Sequence, residues 1–153
     1  MGHWNHVAIG VWAVPGTVEL VEAQTALMKQ LCEEVPRFPA VHLVIKRAAL
    51  PSGEAREAYQ ELARRYAPHM TCVGLLIEGD GFWASAVRAF LTGAVMLERR
   101  LRTKAFGDLR ELSVWVAAAH NEGSAETFDA EALHAALEWM LQQPTVRDYR
   151  LGL

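Results

Sequence analysis

Cysteine is scarce in this chain, with Cys32 and Cys72 the only two among 153 residues. Cys32 falls in a helical pattern and Cys72 in a strand pattern, where cysteine usually serves as a small buried hydrophobic residue. Small secreted domains depend on several paired cysteines, so a disulfide-stapled secreted fold is disfavoured. The cysteine content predicts a cytoplasmic protein without a disulfide.

Surplus positive charge and long apolar runs are also missing. The net charge is -3, so the sequence lacks the basic surplus that binds phosphates, and nucleic acid is not an expected partner. The segment 1–16 lacks the basic and apolar regions of a secretion signal. The stretch 82–97 contains Arg88 and is shorter than the about 18 apolar residues of a membrane span. We expect no membrane association.

Motifs for catalysis or metal binding are not recognisable. Six histidines are present, but the closest pair, His3 and His6, has no acidic partner of the kind that zinc sites show. Ser113 lacks the flanking glycines of a hydrolase elbow. Glu78 and Asp80 could act as an acid and base pair, but the sequence nearby supplies no nucleophile. We expect surface or half-buried histidines, no metal or cofactor, and no catalysis; an enzyme with an unfamiliar site is a less favoured alternative.

The residues that are present have the balance of a globular protein, with 52% apolar and 22% charged residues. Strand patterns alternate with helical patterns, which is typical of an α/β domain. The predicted strands span 6–14, 41–47, 72–77 and 104–106, and the predicted helices span 17–35, 54–66, 82–97, 109–120 and 128–142. We predict a single domain with a mostly parallel or mixed sheet of four to five strands.

Local patterns define several elements of this domain further. The run 72–77 shows no polar alternation, as a strand covered on both faces requires. Thr17 and Asp108 are predicted helix N-caps. The core is expected at about 6–120, with an added helix at about 126–143, and the tail 144–153 shows no regular pattern. The first predicted helix is expected to bury one line of apolar residues: Leu20, Ala23, Leu27 and Leu31.

Three segments resemble the STAS domain, the fold of anti-sigma-factor antagonists and of the cytoplasmic part of sulphate transporters. They are 41–45, 82–88, and 104–106 before the helix that contains Trp115. The resemblance, closest to bacterial STAS-like proteins of unknown function, covers about 6–120 and implies a regulatory module. Such domains usually open with a strand hairpin, whereas we predict only one strand before Pro15.

In antagonists of the STAS family, phosphorylation of a loop serine before a helix switches partner binding. The matching residue is Ser52, but Pro51 stands where the family has aspartate. Ser52 is therefore a possible phosphorylation site by resemblance, and a helix cap by its position.

The predicted helix 82–97 carries few polar side chains: Ser85, Arg88 and Thr92 form one narrow stripe. Its remaining apolar surface must be covered by the C-terminal helix, by a second copy of the chain or by another protein. We predict that the partner-binding surface consists of Trp83, Val87, Arg88 and Leu91, with Arg99, Arg100 and Arg102 as a charged rim.

The sequence therefore favours a non-enzymatic, STAS-like regulatory module that binds another protein or forms a homodimer. One alternative is a small-ligand or nucleotide-binding regulator that uses the turn Gly79–Gly81 together with Arg88. That turn lacks the further residues of known phosphate loops, and it is equally a tight turn. Another alternative is an inhibitor or immunity-type binding protein.

Overall fold

A computed structural model describes residues 1–13, 16–45, 53–79, 85 and 101–151. Over these residues the chain forms one sheet with helices on both faces. The elements are β1 (Gly2–Trp4), β2 (Val7–Trp12), α1 (Val18–Glu34), β3 (Phe38–Val44), α2 (Gly53–Tyr66), a 3-10 turn (Ala67–His69), β4 (Met70–Ile77), β5 (Arg102–Phe106), α3 (Leu109–Asn121), α4 (Ala130–Leu141) and α5 (Pro144–Leu151).

The sheet has five strands in the order β1-β2-β3-β4-β5 over the described residues. Strands β2 to β5 pair in parallel, and β1 pairs antiparallel with β2. All eight residues of β4 are buried, because helices cover both of its faces. The predicted α/β class with a mostly parallel, mixed sheet is confirmed.

Two apolar layers hold the helices to the sheet. One layer joins α1 and α2 to one face of the sheet and includes Met28 and Tyr59. The other joins α3 and α4 to the opposite face and includes Leu112 and Leu133. The predicted C-terminal helix is therefore present as α4, and it forms part of the core.

The prediction of a single strand before Pro15 is wrong, because β1 and β2 form a hairpin. Asn5 and His6 link the two strands, and both have positive φ, at 44° and 61°. Two-residue hairpin turns of type I′ require this conformation and favour asparagine followed by glycine. Because histidine occupies the second position, the sequence lacks the asparagine–glycine pair that indicates such a turn.

Two further helical predictions need correction. The tail contains α5, which begins at Pro144, because proline fits the first position of a helix, where no backbone N–H is needed. In α1 the buried line is Val21, Gln24, Met28 and Leu31. Ala23, which was predicted to face the core, is exposed. The buried face of the helix is therefore displaced by about one residue from the predicted face.

Strand β3 begins three residues before the predicted Val41, at Phe38. It contains Pro39, which cannot donate a hydrogen bond to a neighbouring strand. The register between β3 and β4 shifts between Phe38 and Ala40, so the irregularity lies at the proline. Among the described residues, no helix has the length and apolar character needed to cross a membrane.

Candidate functional site

An apolar pocket of about 270 Å³ lies where β2 ends. The carboxyl ends of parallel strands are the usual location of ligand sites in α/β sheets. Residues of α1, α2, α4 and α5 complete the wall. The lining consists of Met1, Val11, Trp12, Ala13, Leu20, Tyr59, Trp139, Met140, Gln143, Thr145 and Val146.

The pocket is supported by a hydrogen bond between two neighbouring strands. The indole Nε1 of Trp12 donates to Nδ1 of His42 over 3.0 Å, and the rings lie 5.6 Å apart between centroids. Because Nδ1 accepts this bond, the proton of the neutral imidazole is on Nε2. Burial lowers the pKa of His42 to about 4, so the ring is neutral at pH 7 and the bond is intact.

Gly10 leaves room for this pair. A Cβ atom at position 10 would lie 3.1 Å from His42 Nδ1, 3.3 Å from Met1 Sδ and 3.4 Å from Trp12 Nε1. Two of these atoms are the donor and the acceptor of the hydrogen bond. Glycine on β2 therefore permits the Trp12–His42 pair.

We expect Gly10→Ala to lower the free energy of unfolding by about 1–2 kcal/mol, because overpacking at the pair displaces one ring. Chemical denaturation measures the loss, and the indole N–H resonance of Trp12 reports the hydrogen bond. Gly107→Ala is the matched control, since no atom lies within 4 Å of its added Cβ. An unchanged Trp12 resonance in Gly10→Ala would contradict this account.

Tyr59 forms the inner wall of the pocket. Its ring centroid lies 4.6 Å from that of Trp12, and the residue is only 8% exposed. Its hydroxyl is buried without a hydrogen-bond partner among the described residues, and burial raises the pKa of Tyr59 far above its usual value. The hydroxyl is thus protonated, and the described residues do not use its hydrogen-bonding capacity.

Trp139 forms the outer wall. It is 64% exposed on α4, beside Met140, which packs partly against the core. Gln143 follows on the next turn and donates from Nε2 to the Trp139 carbonyl over 3.0 Å. The pocket therefore passes from the buried ring of Tyr59 and the half-buried ring of Trp12 to the exposed indole of Trp139.

A pair of polar side chains, Thr71 and His120, lies at the amino end of β4, away from the pocket. The Thr71 hydroxyl is 2.9 Å from Nδ1 of His120, and the His120 ring stacks on Phe128 at 5.1 Å. Burial lowers the pKa of His120, while a backbone interaction with Glu126 acts in the opposite direction. The prediction that the histidines are exposed or half-buried is wrong for His120, which is 2% exposed and joins β4 to α3.

Most of the predicted partner-binding surface lies outside the described residues. This applies to Trp83, Val87, Arg88, Leu91, Arg99 and Arg100, and also to the possible phosphorylation site Ser52. Ser85 is helical and exposed, as expected for the polar stripe. Arg102 lies on β5 and forms an ion pair with Glu122, so it is within reach of α3.

Of the predicted turn Gly79–Gly81, only Gly79 is described. Its φ of 91° is in the left-handed region that favours glycine, as a tight turn after β4 requires. The described residues contain no group of three or more side chains suited to hold a metal ion. Asp80, Gly81 and Arg88, on which the nucleotide hypothesis depends, lie outside the described residues.

The pocket was not predicted from the sequence. Trp12 and Tyr59 were assigned only to a strand and a helix, and Trp139 was not singled out. The available signal was weak: tryptophan at the carboxyl end of a strand, followed by Pro15 and Gly16. Spacing within single elements does not reveal contacts between residues that are far apart in the chain.

Comparisons of the chain with protein-family models, with curated proteins and with solved structures found no match. The geometry and chemistry of the described residues are therefore the basis for assigning a function.

Proposed function

We propose that the chain is a non-enzymatic regulatory module of STAS-like type that acts in the cytoplasm by binding another protein. The order of its elements supports the proposal, because a strand hairpin is followed by strands that alternate with helices. The β1–β2 hairpin is the opening that the resemblance implies and that the sequence did not predict.

Exposure of Trp139 is the observation that carries the proposal. Tryptophan usually buries most of its large apolar surface, and it is enriched among residues that dominate binding energy at protein interfaces. Trp139 is 64% exposed and borders the apolar pocket. A partner side chain that covered this indole would gain the hydrophobic free energy that the free protein leaves unused.

A transient partner fits this surface better than a permanent second copy. Among the described large apolar residues, the exposed ones are Met1, Val114 and Trp139, at 42%, 52% and 64%. A permanent homodimer buries about 800 Å² or more on each subunit, much of it apolar. The described surface therefore favours a different protein that presents an apolar side chain to Trp139.

The experiment compares immobilised wild type, Trp139→Asp and Val114→Asp as baits for proteins of the native host. We expect at least one protein to bind wild type and Val114→Asp and to be retained about tenfold less by Trp139→Asp, since a desolvated aspartate opposes binding. Val114 is the matched control because it is a similarly exposed apolar residue on another helix.

Binding of the same proteins to all three baits would contradict a role for Trp139. Light scattering after size-exclusion chromatography tests self-association. A wild-type dimer that Trp139→Asp converts to a monomer would overturn the choice of a different protein as partner. Trp83→Asp tests the predicted surface outside the described residues in the same assays.

A further inference from the structure

We infer that the pocket at the end of β2 binds a small, neutral aromatic molecule. This inference goes beyond the protein-binding proposal and does not depend on it. It follows from the volume of the pocket and the chemistry of its lining.

The volume sets the size of the ligand. The pocket measures about 270 Å³, whereas an apolar cavity of about 150 Å³ holds benzene. Two fused rings therefore fit. The size corresponds to the indole and naphthol class of molecules.

The lining sets the charge of the ligand. None of the eleven described lining residues has a charged side chain, so a carboxylate, phosphate or ammonium group would lose its hydration without a side chain of opposite charge to pair with. The aromatic rings of Trp12, Tyr59 and Trp139 contribute to the wall. Such rings favour a flat aromatic ligand, which they contact by stacked or edge-to-face packing.

The lining can also adapt to the ligand. Met1 and Met140 line the pocket, and their unbranched side chains adjust readily to an entering ring. The Tyr59 hydroxyl is closed to water, so Tyr59 is expected to contact the ligand through its ring.

The test titrates the purified protein with 2-naphthol and follows binding by calorimetry and by the tryptophan indole N–H resonances. We expect a dissociation constant below about 1 mM, with shifts of the Trp12 and Trp139 resonances. Trp4 and Trp115 are not among the lining residues and serve as internal controls. Naphthalene-2-sulfonate, which has the same rings and a fixed negative charge, is expected to bind at least about tenfold more weakly.

Two variants locate the site. Leu20→Trp places a larger side chain in the lining and is expected to weaken binding at least about tenfold. Tyr59→Phe is the control, because it keeps the ring and removes only a hydroxyl that is closed to water, so it is expected to leave the affinity unchanged.

Failure of 2-naphthol to bind wild type at about 1 mM would overturn the inference. The dispersion of the amide resonances shows whether Leu20→Trp is folded. Equal affinity of the folded Leu20→Trp variant would place the ligand elsewhere, and equal affinity of the sulfonate would overturn the neutral class.

Discussion

Replacing Gly74 by alanine is expected to lower the free energy of unfolding by about 3 kcal/mol. An added Cβ at this position of β4 would lie 2.6 Å from Val116 Cγ2 and 3.0 Å from Leu112 Cδ1. Both contacted residues are fully buried on α3, and the branched valine has no freely moving end that could yield. The helix must therefore move away from the sheet.

Denaturant unfolding of three variants tests this contact. Val116→Ala removes the closer of the two contacted atoms, so Gly74→Ala should cost clearly less free energy of unfolding in the Val116→Ala background than in wild type, with the Leu112 contact remaining. Gly53→Ala is the control, because no atom lies within 4 Å of its added Cβ. Additive losses in the double variant would show that α3 does not approach β4 as described.

Acidification is expected to destabilise the protein through His42. Burial lowers the pKa of His42 from 6.5 to about 4, so below pH 6.5 the unfolded chain binds a proton that the folded protein resists. The resulting loss in the free energy of unfolding is small above pH 6.5. It grows as the pH falls and reaches about 3 kcal/mol at about pH 4. Protonation of Nδ1 also breaks the bond from Trp12.

The comparison variant is His42→Asn, whose side-chain oxygen can still accept from Trp12 but does not titrate. Urea unfolding between pH 7 and pH 4 should show a steeper loss for wild type than for the variant. His120, whose pKa is also lowered by burial, is present in both proteins, so the difference isolates His42. Parallel curves would contradict the assignment, and the Trp12 indole resonance should change over the same pH range in wild type only.

The elements that were predicted correctly depend on chemistry between neighbours in the chain. Asp108 caps α3 by accepting from the Glu111 amide over 2.9 Å, and Thr17 caps α1 by accepting from the Leu20 amide. A cap requires only a short polar side chain three residues before the amide that it accepts from. The buried strand β4 was predicted for a similar reason, because its unbroken apolar run is sufficient to indicate cover on both faces.

The elements that were missed depend on their surroundings. The β1–β2 turn uses histidine where glycine is usual, and pairing with β2 holds β1 in place. Gln24 replaces an apolar residue in the buried line of α1, so the apolar pattern indicated the wrong side of the helix. In both cases tertiary packing outweighs the local preference.

The sequence by itself determined the α/β class, the caps and the central buried strand, because apolar periodicity and capping act over a few residues. Only the tertiary structure decided that Trp12, His42 and Tyr59 meet at one end of the sheet and that Trp139 closes the pocket from another helix. These residues are far apart in the chain, so no local sequence pattern relates them. The parallel strands and the helices that connect them bring the residues together.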